Sequence, residues 1–226
     1  MTQIHVVCSQ KGGVGKTTIT VNLAAVVAQT LGADPESPSV LVVSIDPQAS
    51  AVWWAERGDV DALPFDFDQM DDRPDALLEL TRSGYEHVFI DAPGSLARPA
   101  VLARALEIVE EGGDVLVPTA PEPLAYGPTE RTIRELVEPR DLPYRIVRNL
   151  WDPRDGWVDL NALTAWLDEQ KLSYANTIVR RYKMHTNASA EGRVVTQYPR
   201  GRTATEAKND FLGLALELGY GGKVGI

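Results

Sequence analysis

Seven short segments of apolar or alternating residues recur along the chain, and stretches with helical spacing separate them. The first segment is nearly all apolar, as expected for a strand that helices cover on both faces. The third contains Pro64 and alternates, which predicts a short strand toward an edge. The predicted strands lie at residues 3–8, 40–45, 63–67, 86–90, 114–119, 144–148 and 175–179.

Apolar residues at helical spacing predict helices between these strands. They cover residues 17–31, 50–56, 71–81, 98–111, a segment ending at 137, 160–171 and 203–218. Strands that alternate with helices predict an α/β fold, in which a mostly parallel, twisted sheet is flanked by helices on both faces. At 226 residues the chain fits one domain, predicted over 1–226.

The most informative stretch is Lys-Gly-Gly-Val-Gly-Lys-Thr-Thr at residues 11–18, directly after the first strand. Its glycines let several N–H groups point at one place, and the next helix aims its positive end there, which makes a cradle for phosphates. The predicted phosphate-binding residues are Gly12, Gly13, Val14, Gly15, Lys16, Thr17 and Thr18. Lys16 would reach the β- and γ-phosphates and Thr17 would bind Mg²⁺, so the fold is predicted to be that of a P-loop NTPase.

The start of the loop departs from the general P-loop pattern. The general P-loop pattern has a glycine at position 10, whereas this chain has Gln10 followed by a second lysine, Lys11. A glycine-rich turn without a ligand is the competing interpretation. Two lysines and two threonines at this spacing have no packing reason to be present.

Two aspartates follow predicted strands. Asp46 comes after residues 40–45 and Asp91 after residues 86–90, and the carboxyl ends of parallel strands face the ligand crevice. An apolar strand that ends in aspartate is the Walker B arrangement, whose carboxylate binds Mg²⁺ or one of its waters. Thr17, Asp46 and Asp91 are therefore the predicted metal-binding residues. A helix cap or turn is the alternative role for Asp46.

The two lysines of residues 11–18 make this loop resemble the deviant Walker A box of the ParA/MinD ATPases. Asp46-Pro47-Gln48 resembles the Asp-x-Gln segment of that family. The resemblance implies ATP/ADP and Mg²⁺ as cofactors and a homodimer closed on two ATP molecules. It also implies catalytic roles for Lys11, Lys16 and Asp46: Lys11 reaches the nucleotide of the other subunit, and Asp46 contacts the metal's water shell and the attacking water.

Two later segments extend the resemblance. The proline-rich residues 121–126 are similar to a loop of the shorter, ParF-like ParA proteins that lies near the dimer interface. Asn149, Asp152 and Arg154 match an Asn-x-x-Asp-x-Arg pattern whose asparagine holds the adenine edge, and an amide suits that recognition. A plain turn is the alternative at this position.

The formal net charge of −10 hides an asymmetry, because residues 171–226 hold nine Lys and Arg against four Asp and Glu. A basic face can bind DNA phosphates without sequence preference, and the alternative is a solvated or internally paired surface. The predicted DNA-binding residues are Arg180, Arg181, Lys183, Arg193, Arg200 and Arg202.

The resemblance to short ParA proteins implies plasmid or chromosome partition with a ParB-like centromere-binding protein, and DNA binding by the ATP-bound dimer. The alternative is a positioning or polymer-forming ATPase for a protein cargo, without direct DNA binding. A small-molecule kinase would need a second substrate pocket, and no convergent set of residues suggests one. The glycine-rich end at residues 217–226 is unlike the amphipathic membrane helix of MinD-like proteins.

The remaining signals predict a cytoplasmic protein, nucleoid-associated if DNA binding holds, with no membrane contact. There is one cysteine, no charged-then-apolar leader and no run of roughly 18 apolar residues. Cys8, His5 and His87 are interpreted as structural, and His185 is placed in a polar loop. Trp53 and Trp54 are adjacent, so one of them is expected to point away from the core.

Overall fold

In the computed structural model, which describes residues 2–32, 37–48, 50–57, 63–94 and 99–221, seven strands form one parallel sheet. The strand order is β3-β2-β4-β1-β5-β6-β7. The strands are β1 (Gln3–Val7), β2 (Val40–Ser44), β3 (Asp66–Gln69), β4 (His87–Asp91), β5 (Gly113–Thr119), β6 (Tyr144–Trp151) and β7 (Tyr174–Arg180). The predicted α/β fold and the edge position of the third strand are confirmed.

Helices cover both faces of the sheet. They are α1 (Lys16–Thr30), α2 (Ser50–Ala55), α3 (Pro99–Val109), α4 (Pro123–Thr132), α5 (Val158–Glu169), α6 (Lys183–Ala190) and α7 (Arg202–Leu218). Short 3₁₀ turns occur at Pro153–Asp155 and Val195–Gln197. Each face of the sheet carries its own buried apolar cluster, one centred on α3 and the other on α1 and α7. The central strands β2 and β4 are buried along their whole length, which explains why they are continuous apolar runs.

Helix α4 changes its winding before it ends. A π-helical turn at Ile133–Val137 follows Thr132 directly, and a 3₁₀ turn at Glu138–Arg140 closes the segment. Pro139 lies in that last turn, and its nitrogen has no hydrogen to donate to an extending helix.

Three predictions about local structure were wrong. The third strand begins at Asp66 rather than at residue 63, because Pro64 has no N–H for the ladder and Phe65 is already buried in the core. The helix predicted over residues 71–81 begins later, at Pro74, and Pro74–Arg82 winds as a 3₁₀ helix. Helix α6 was missed, because its residues are mostly polar and only His185 and Ala188 are buried.

The interpretation of His185 as a polar-loop residue was therefore also wrong. This side chain is buried in α6, and its Nδ1 lies 2.9 Å from the hydroxyl of Tyr198. Burial lowers the pKa of His185 to about 4. The structural interpretations of Cys8 and of the other two histidines agree with their burial.

A buried polar network ties the amino-terminal edge of the sheet to the end of α7. His5 Nδ1 lies 2.8 Å from Asp114 Oδ1, and His5 Nε2 lies 2.9 Å from His87 Nδ1. The hydroxyl of Tyr220 donates to both oxygens of Asp114, at 2.6 and 2.7 Å. One carboxylate thus satisfies groups from β1 and from the chain beyond α7, which fixes the last helix on the sheet.

Among the described residues, none of the helices combines the length and the apolar character that a transmembrane span requires. Residues 33–36, part of a predicted loop, and 222–226, the end of the glycine-rich tail, lie outside the described residues.

The network predicts acid sensitivity. Burial, and then the neighbouring His5, lower the pKa of His87 from 6.5 to about 4. The unfolded chain therefore binds a proton on this ring below pH 6.5 while the folded chain does not, so the free energy of unfolding should fall as the pH drops toward 4. Urea midpoints at pH 7 and pH 5 measure this loss, and His87→Asn should show a smaller one. An equal loss in both proteins would contradict the assignment, since His185 contributes the same amount to each.

Candidate nucleotide-binding site

The carboxyl edge of the sheet brings three predicted segments together. The loop of residues 11–18 follows β1, Asp46 follows β2, and Asp91 ends β4, which lies between those two strands. The registers pair Asp91 with Val7 on one side and with Ser44 on the other. The strand order alone therefore places both aspartates beside the glycine-rich loop.

The loop depends on left-handed backbone at two glycines. Gly13 has φ of +77° and Gly15 has φ of +85°, and α1 begins immediately afterwards at Lys16. A Cβ atom on Gly15 would lie 2.4 Å from Nδ2 of Asn149. Both the backbone angle and the close approach require glycine at this position.

Asn149 holds this loop from β6. Its Nδ2 donates to the carbonyl oxygen of Val14 at 2.7 Å, and the residue is only 1% exposed. One of the two N–H donors of this amide is thus bonded to the loop. A role of Asn149 in adenine recognition remains a prediction, and the contact observed is a clamp on the loop.

The rest of the proposed adenine pattern forms a local turn. Asp152 accepts from the backbone N–H of Arg154 at 3.0 Å and also pairs with its guanidinium group. These hydrogen bonds lower the pKa of Asp152 to about 2. The turn that was the alternative interpretation is therefore present here, whether or not a base binds beside it.

Lys16 and Asp91 form the buried part of the site, and the half-buried Thr17 joins them. The Thr17 hydroxyl donates to Asp91 Oδ2 at 2.7 Å. Burial raises the pKa of Asp91 to about 7, against the opposing effects of the Thr17 hydrogen bond and the Lys16 charge. Burial likewise lowers the pKa of Lys16, which the carboxylates of Asp91 and Asp46 partly oppose. Burial thus makes the protonation of Lys16 and of Asp91 depend on the charge of the other group.

Asp46 lines the same cavity and also organises its own turn. Its Oδ1 accepts from the N–H of Gln48 at 2.9 Å, and its carbonyl oxygen lies 3.4 Å from Nε2 of Gln69 in β3. Both the turn role and the functional position that the sequence suggested for Asp46 are therefore present in one side chain. Ala49, which follows in this segment, and Ser95, which follows the Asp91 strand, lie outside the described residues.

A cavity of about 720 Å³ opens over these groups. Its lining includes the phosphate loop, the Asp46 turn and three residues that sequence analysis did not place there, Trp53, Trp54 and Ser189. Trp54 is buried and its indole N–H donates to the carbonyl oxygen of Arg193, whereas Trp53 is 43% exposed, as expected for adjacent tryptophans. A larger cavity of about 990 Å³ lies beside β3 and the turn at Pro74–Arg82, and it contains none of the predicted site residues.

The donor set fits a magnesium ion. Asp91 Oδ1 is buried without a hydrogen-bond partner among the described residues, and such an orphaned carboxylate oxygen is suited to a cation. Mg²⁺ usually takes one or two carboxylates together with waters and substrate phosphates. Asp91, Asp46 and the Thr17 hydroxyl would supply that set.

Lys11 lies at the mouth of the cavity rather than in it. Its N–H donates to the Ser9 hydroxyl at 3.3 Å, and its ammonium group has no partner among the described residues. Lys16 instead points inward, where a Cβ on Gly94 would lie 3.0 Å from its Nζ. The two lysines of the loop therefore occupy different environments.

The six basic residues near the end of the chain divide into two groups. Arg180 binds Asp210 through two nitrogens, at 2.7 to 3.1 Å, and fastens β7 to α7. Arg193 pairs with Glu191, and Arg202 with Glu206. Arg181, Lys183 and Arg200 are exposed and form no salt bridge with the described residues. Of the six, these three are the ones whose charge is not paired with a carboxylate of the described residues.

The comparisons with known proteins point in one direction. The model of the CobQ/CobB/MinD/ParA nucleotide binding domain matches residues 5–212. The chain is similar to "Maintenance of carboxysome distribution protein A" of Gloeobacter kilaueensis, with 38% identity over 96% of this chain and 94% of that protein. A protein of the same name from Halothiobacillus neapolitanus is 29% identical, over 91% of this chain and 93% of its own length.

The fold is also that of a solved structure. The septum site-determining protein MinD of Pyrococcus horikoshii, complexed with Mg-ADP, has a TM-score of 0.71 at 20% identity, covering 99% of this chain and all of that one (100%). That relative's ligand agrees with the predicted cofactors, ATP/ADP and Mg²⁺.

The close approach of Gly15 to Asn149 predicts that a side chain at position 15 weakens nucleotide binding. Gly15→Ala should reduce nucleotide affinity by at least tenfold, because the left-handed backbone and the contact at 2.4 Å both oppose a methyl group. Gly213→Ala is the matched control, since its Cβ would meet Thr177 at an ordinary 3.6 Å. Fluorescent-nucleotide titration measures both. Unchanged affinity in Gly15→Ala would mean that this loop does not hold the phosphates.

Proposed function

Because the chain belongs to the CobQ/CobB/MinD/ParA family of nucleotide-binding domains, we propose that it is a Mg²⁺-dependent ATPase that distributes a protein assembly within the cell. The observation that supports this proposal best is the pair of lysines on one phosphate loop, one buried against two carboxylates and the other free at the rim. A loop that only bound a nucleotide would need Lys16 alone.

The buried groups suit ATP hydrolysis to ADP and phosphate. The N–H groups of residues 12–18 and the start of α1 bind the phosphates, and Lys16 neutralises the β- and γ-oxygens. Asp46, beside them, orients the attacking water. Thr17, Asp46 and Asp91 would hold the Mg²⁺, which supplies further charge neutralisation. Phosphoryl transfer depends mainly on such positioning and charge, so no covalent intermediate is required.

The rim suits a second copy of the chain. Trp53, Leu124, Trp157 and Val158 are the exposed large apolar residues at the carboxyl edge, and they account for four of the six in the described chain. Leu124 is 79% exposed in the proline-rich segment and Val158 is 77% exposed. Exposed apolar surface of this kind commonly marks a protein interface. An ATP-bound homodimer closed at this edge would bury it and bring Lys11 of each copy to the nucleotide of the other.

The carboxysome-distribution relatives support a protein cargo. They match nearly the whole chain, so the similarity is not confined to the phosphate loop. We therefore place the positioning of a protein assembly, which the sequence offered only as the alternative, before DNA partition. The dimer would be the ATP-bound state of the switch and hydrolysis would reset it.

DNA partition with a ParB-like protein is the second candidate, because Arg181, Lys183 and Arg200 are exposed and form no salt bridge with the part of the chain that the structure describes. The phosphates of a duplex would bind these three cations without sequence preference. Because such contacts release counterions, the binding would weaken as the salt concentration rises. Arg180, Arg193 and Arg202 are partly neutralised by their carboxylate partners and would contribute less.

The two lysines should be separable. Lys16→Ala should abolish nucleotide binding, whereas Lys11→Ala should retain binding and lose hydrolysis, because Lys11 acts only across a closed dimer. Isothermal titration and phosphate release measure the two effects, with Lys208→Ala as a control on α7. Nucleotide binding that survives Lys16→Ala would refute the site, and full hydrolysis by Lys11→Ala would refute its role between subunits.

The cargo can be identified in host cells that lack the protein. Electron cryotomography should show protein assemblies gathered together instead of spread, and wild-type protein but not Lys16→Ala should restore the distribution. Plasmid and chromosome retention is measured in the same strains. Normal assemblies with increased plasmid or chromosome loss would favour the second candidate over the first.

DNA binding by Arg181, Lys183 and Arg200 is measured with the purified protein. Co-sedimentation with nonspecific duplex DNA is measured with ATP, ADP and no nucleotide, at two salt concentrations. Partition by DNA binding requires ATP-dependent, salt-sensitive binding that the triple variant Arg181→Ser, Lys183→Ser, Arg200→Ser loses and Arg134→Ser retains. Absence of DNA binding in every nucleotide state would favour the first candidate, the positioning of a protein assembly without direct DNA binding.

A further inference from the structure

Gln10 stands where the general phosphate-loop pattern has a glycine, and two parts of the residue are bonded to the same segment. Its backbone N–H donates to the hydroxyl of Thr132 at 2.9 Å. Its side-chain Nε2 donates to Oε2 of Glu135 at 2.8 Å. Gln10 is thus held at its backbone and at the end of its side chain by residues more than 120 positions away in the sequence.

The segment that holds Gln10 is itself firmly placed. Thr132 is fully buried and donates to the carbonyl oxygen of Pro128 at 2.8 Å, which leaves its oxygen oriented to accept from Gln10. One turn earlier, the buried Thr129 donates to Thr119 at the end of β5, also at 2.8 Å. The two threonines therefore connect α4 to β5 and to the chain leaving β1.

The π-helical turn at Ile133–Val137 begins directly after Thr132 and contains Glu135. Such turns are rare and occur often at functional sites. Here the turn presents a carboxylate to Gln10 from a helix whose other end, at Leu124, is open to solvent.

Lys11 is the next residue after Gln10, and its side chain makes no contact with the described residues that would set where it projects. Its ammonium group has no partner among the described residues, and its N–H reaches only the hydroxyl of Ser9, two positions earlier. The direction of its side chain therefore follows from the backbone that Gln10 fixes.

We propose that Gln10 is a positioning residue, and that α4 controls ATP hydrolysis by setting the direction of Lys11 through Thr132 and Glu135. This inference rests on the proposed role of Lys11 between subunits. It makes α4 the element through which an event at the exposed end of the helix changes the phosphate loop without touching the nucleotide.

Gln10 is half-buried and Glu135 is exposed, so variants at these two positions test the tether without endangering the fold. Gln10→Ala and Glu135→Ala remove the side-chain contact, and Glu135→Gln keeps an oxygen that can accept from Gln10. Thr132→Val removes the buried contact. Glu130→Ala is the matched control, because its carboxylate binds Arg134 on the outer side of the same segment.

We expect Gln10→Ala and Glu135→Ala to lower kcat for ATP hydrolysis by a factor of roughly 2 to 10, as the loss of one hydrogen bond implies. Nucleotide affinity should stay within about twofold of wild type, because the phosphate-binding groups are untouched. Glu135→Gln and Glu130→Ala should behave as wild type.

A second measurement reads the position of Lys11 directly. The chain has six lysines, so the ¹³C-dimethyl resonance of Lys11 can be assigned with Lys11→Arg. Glu135→Ala and Thr132→Val should move this resonance and Glu130→Ala should not.

An unmoved resonance, or a wild-type rate of hydrolysis in both Gln10→Ala and Glu135→Ala, would overturn the inference. A resonance that moves while Lys11→Ala hydrolyses normally would instead remove the proposed role of Lys11 and leave the tether in place.

Discussion

Seven strands that run in one direction place the start of every connection at the same edge of the sheet. This constraint gathers the phosphate loop, Asp46 and Asp91, although they come from three separate parts of the sequence. The central position of β4 between β1 and β2 then brings Asp91 against both neighbours. Most of the functional geometry follows from that order, because a parallel sheet leaves its ligand crevice at the carboxyl ends.

Burial gives this edge its chemical character. Lys16 and Asp91 lose solvation together, so burial lowers the pKa of one and raises that of the other to about 7. Their mutual attraction offsets part of that cost, and Thr17 satisfies one carboxylate oxygen. Phosphate and a divalent cation would complete the balance of charge. At the rim, by contrast, the ammonium of Lys11 remains unpartnered among the described residues and available to a second molecule.

The local sequence patterns were sufficient for the strands, most helices and the phosphate loop. Continuous apolar runs indicate strands buried on both faces, and glycines beside lysine and threonine indicate a phosphate cradle, because both signals lie within a few consecutive residues. Helix α6 escaped detection since its buried residues are His185 and the small Ala188, which make no apolar pattern. The sequence also showed the basic residues near the end of the chain, but it did not show which carboxylates pair with them.

Tertiary structure alone decided the contacts between distant residues. Sequence could not show that Asn149 clamps Val14, that Asp210 neutralises Arg180, or that Thr132 and Glu135 hold Gln10. Each pair depends on which strands are neighbours and on how a helix crosses them. The sequence by itself determined the family of the loop and the chemistry of its residues. The folded chain determined which of those residues are held, which are buried with a partner, and which remain free, since these properties depend on long-range packing.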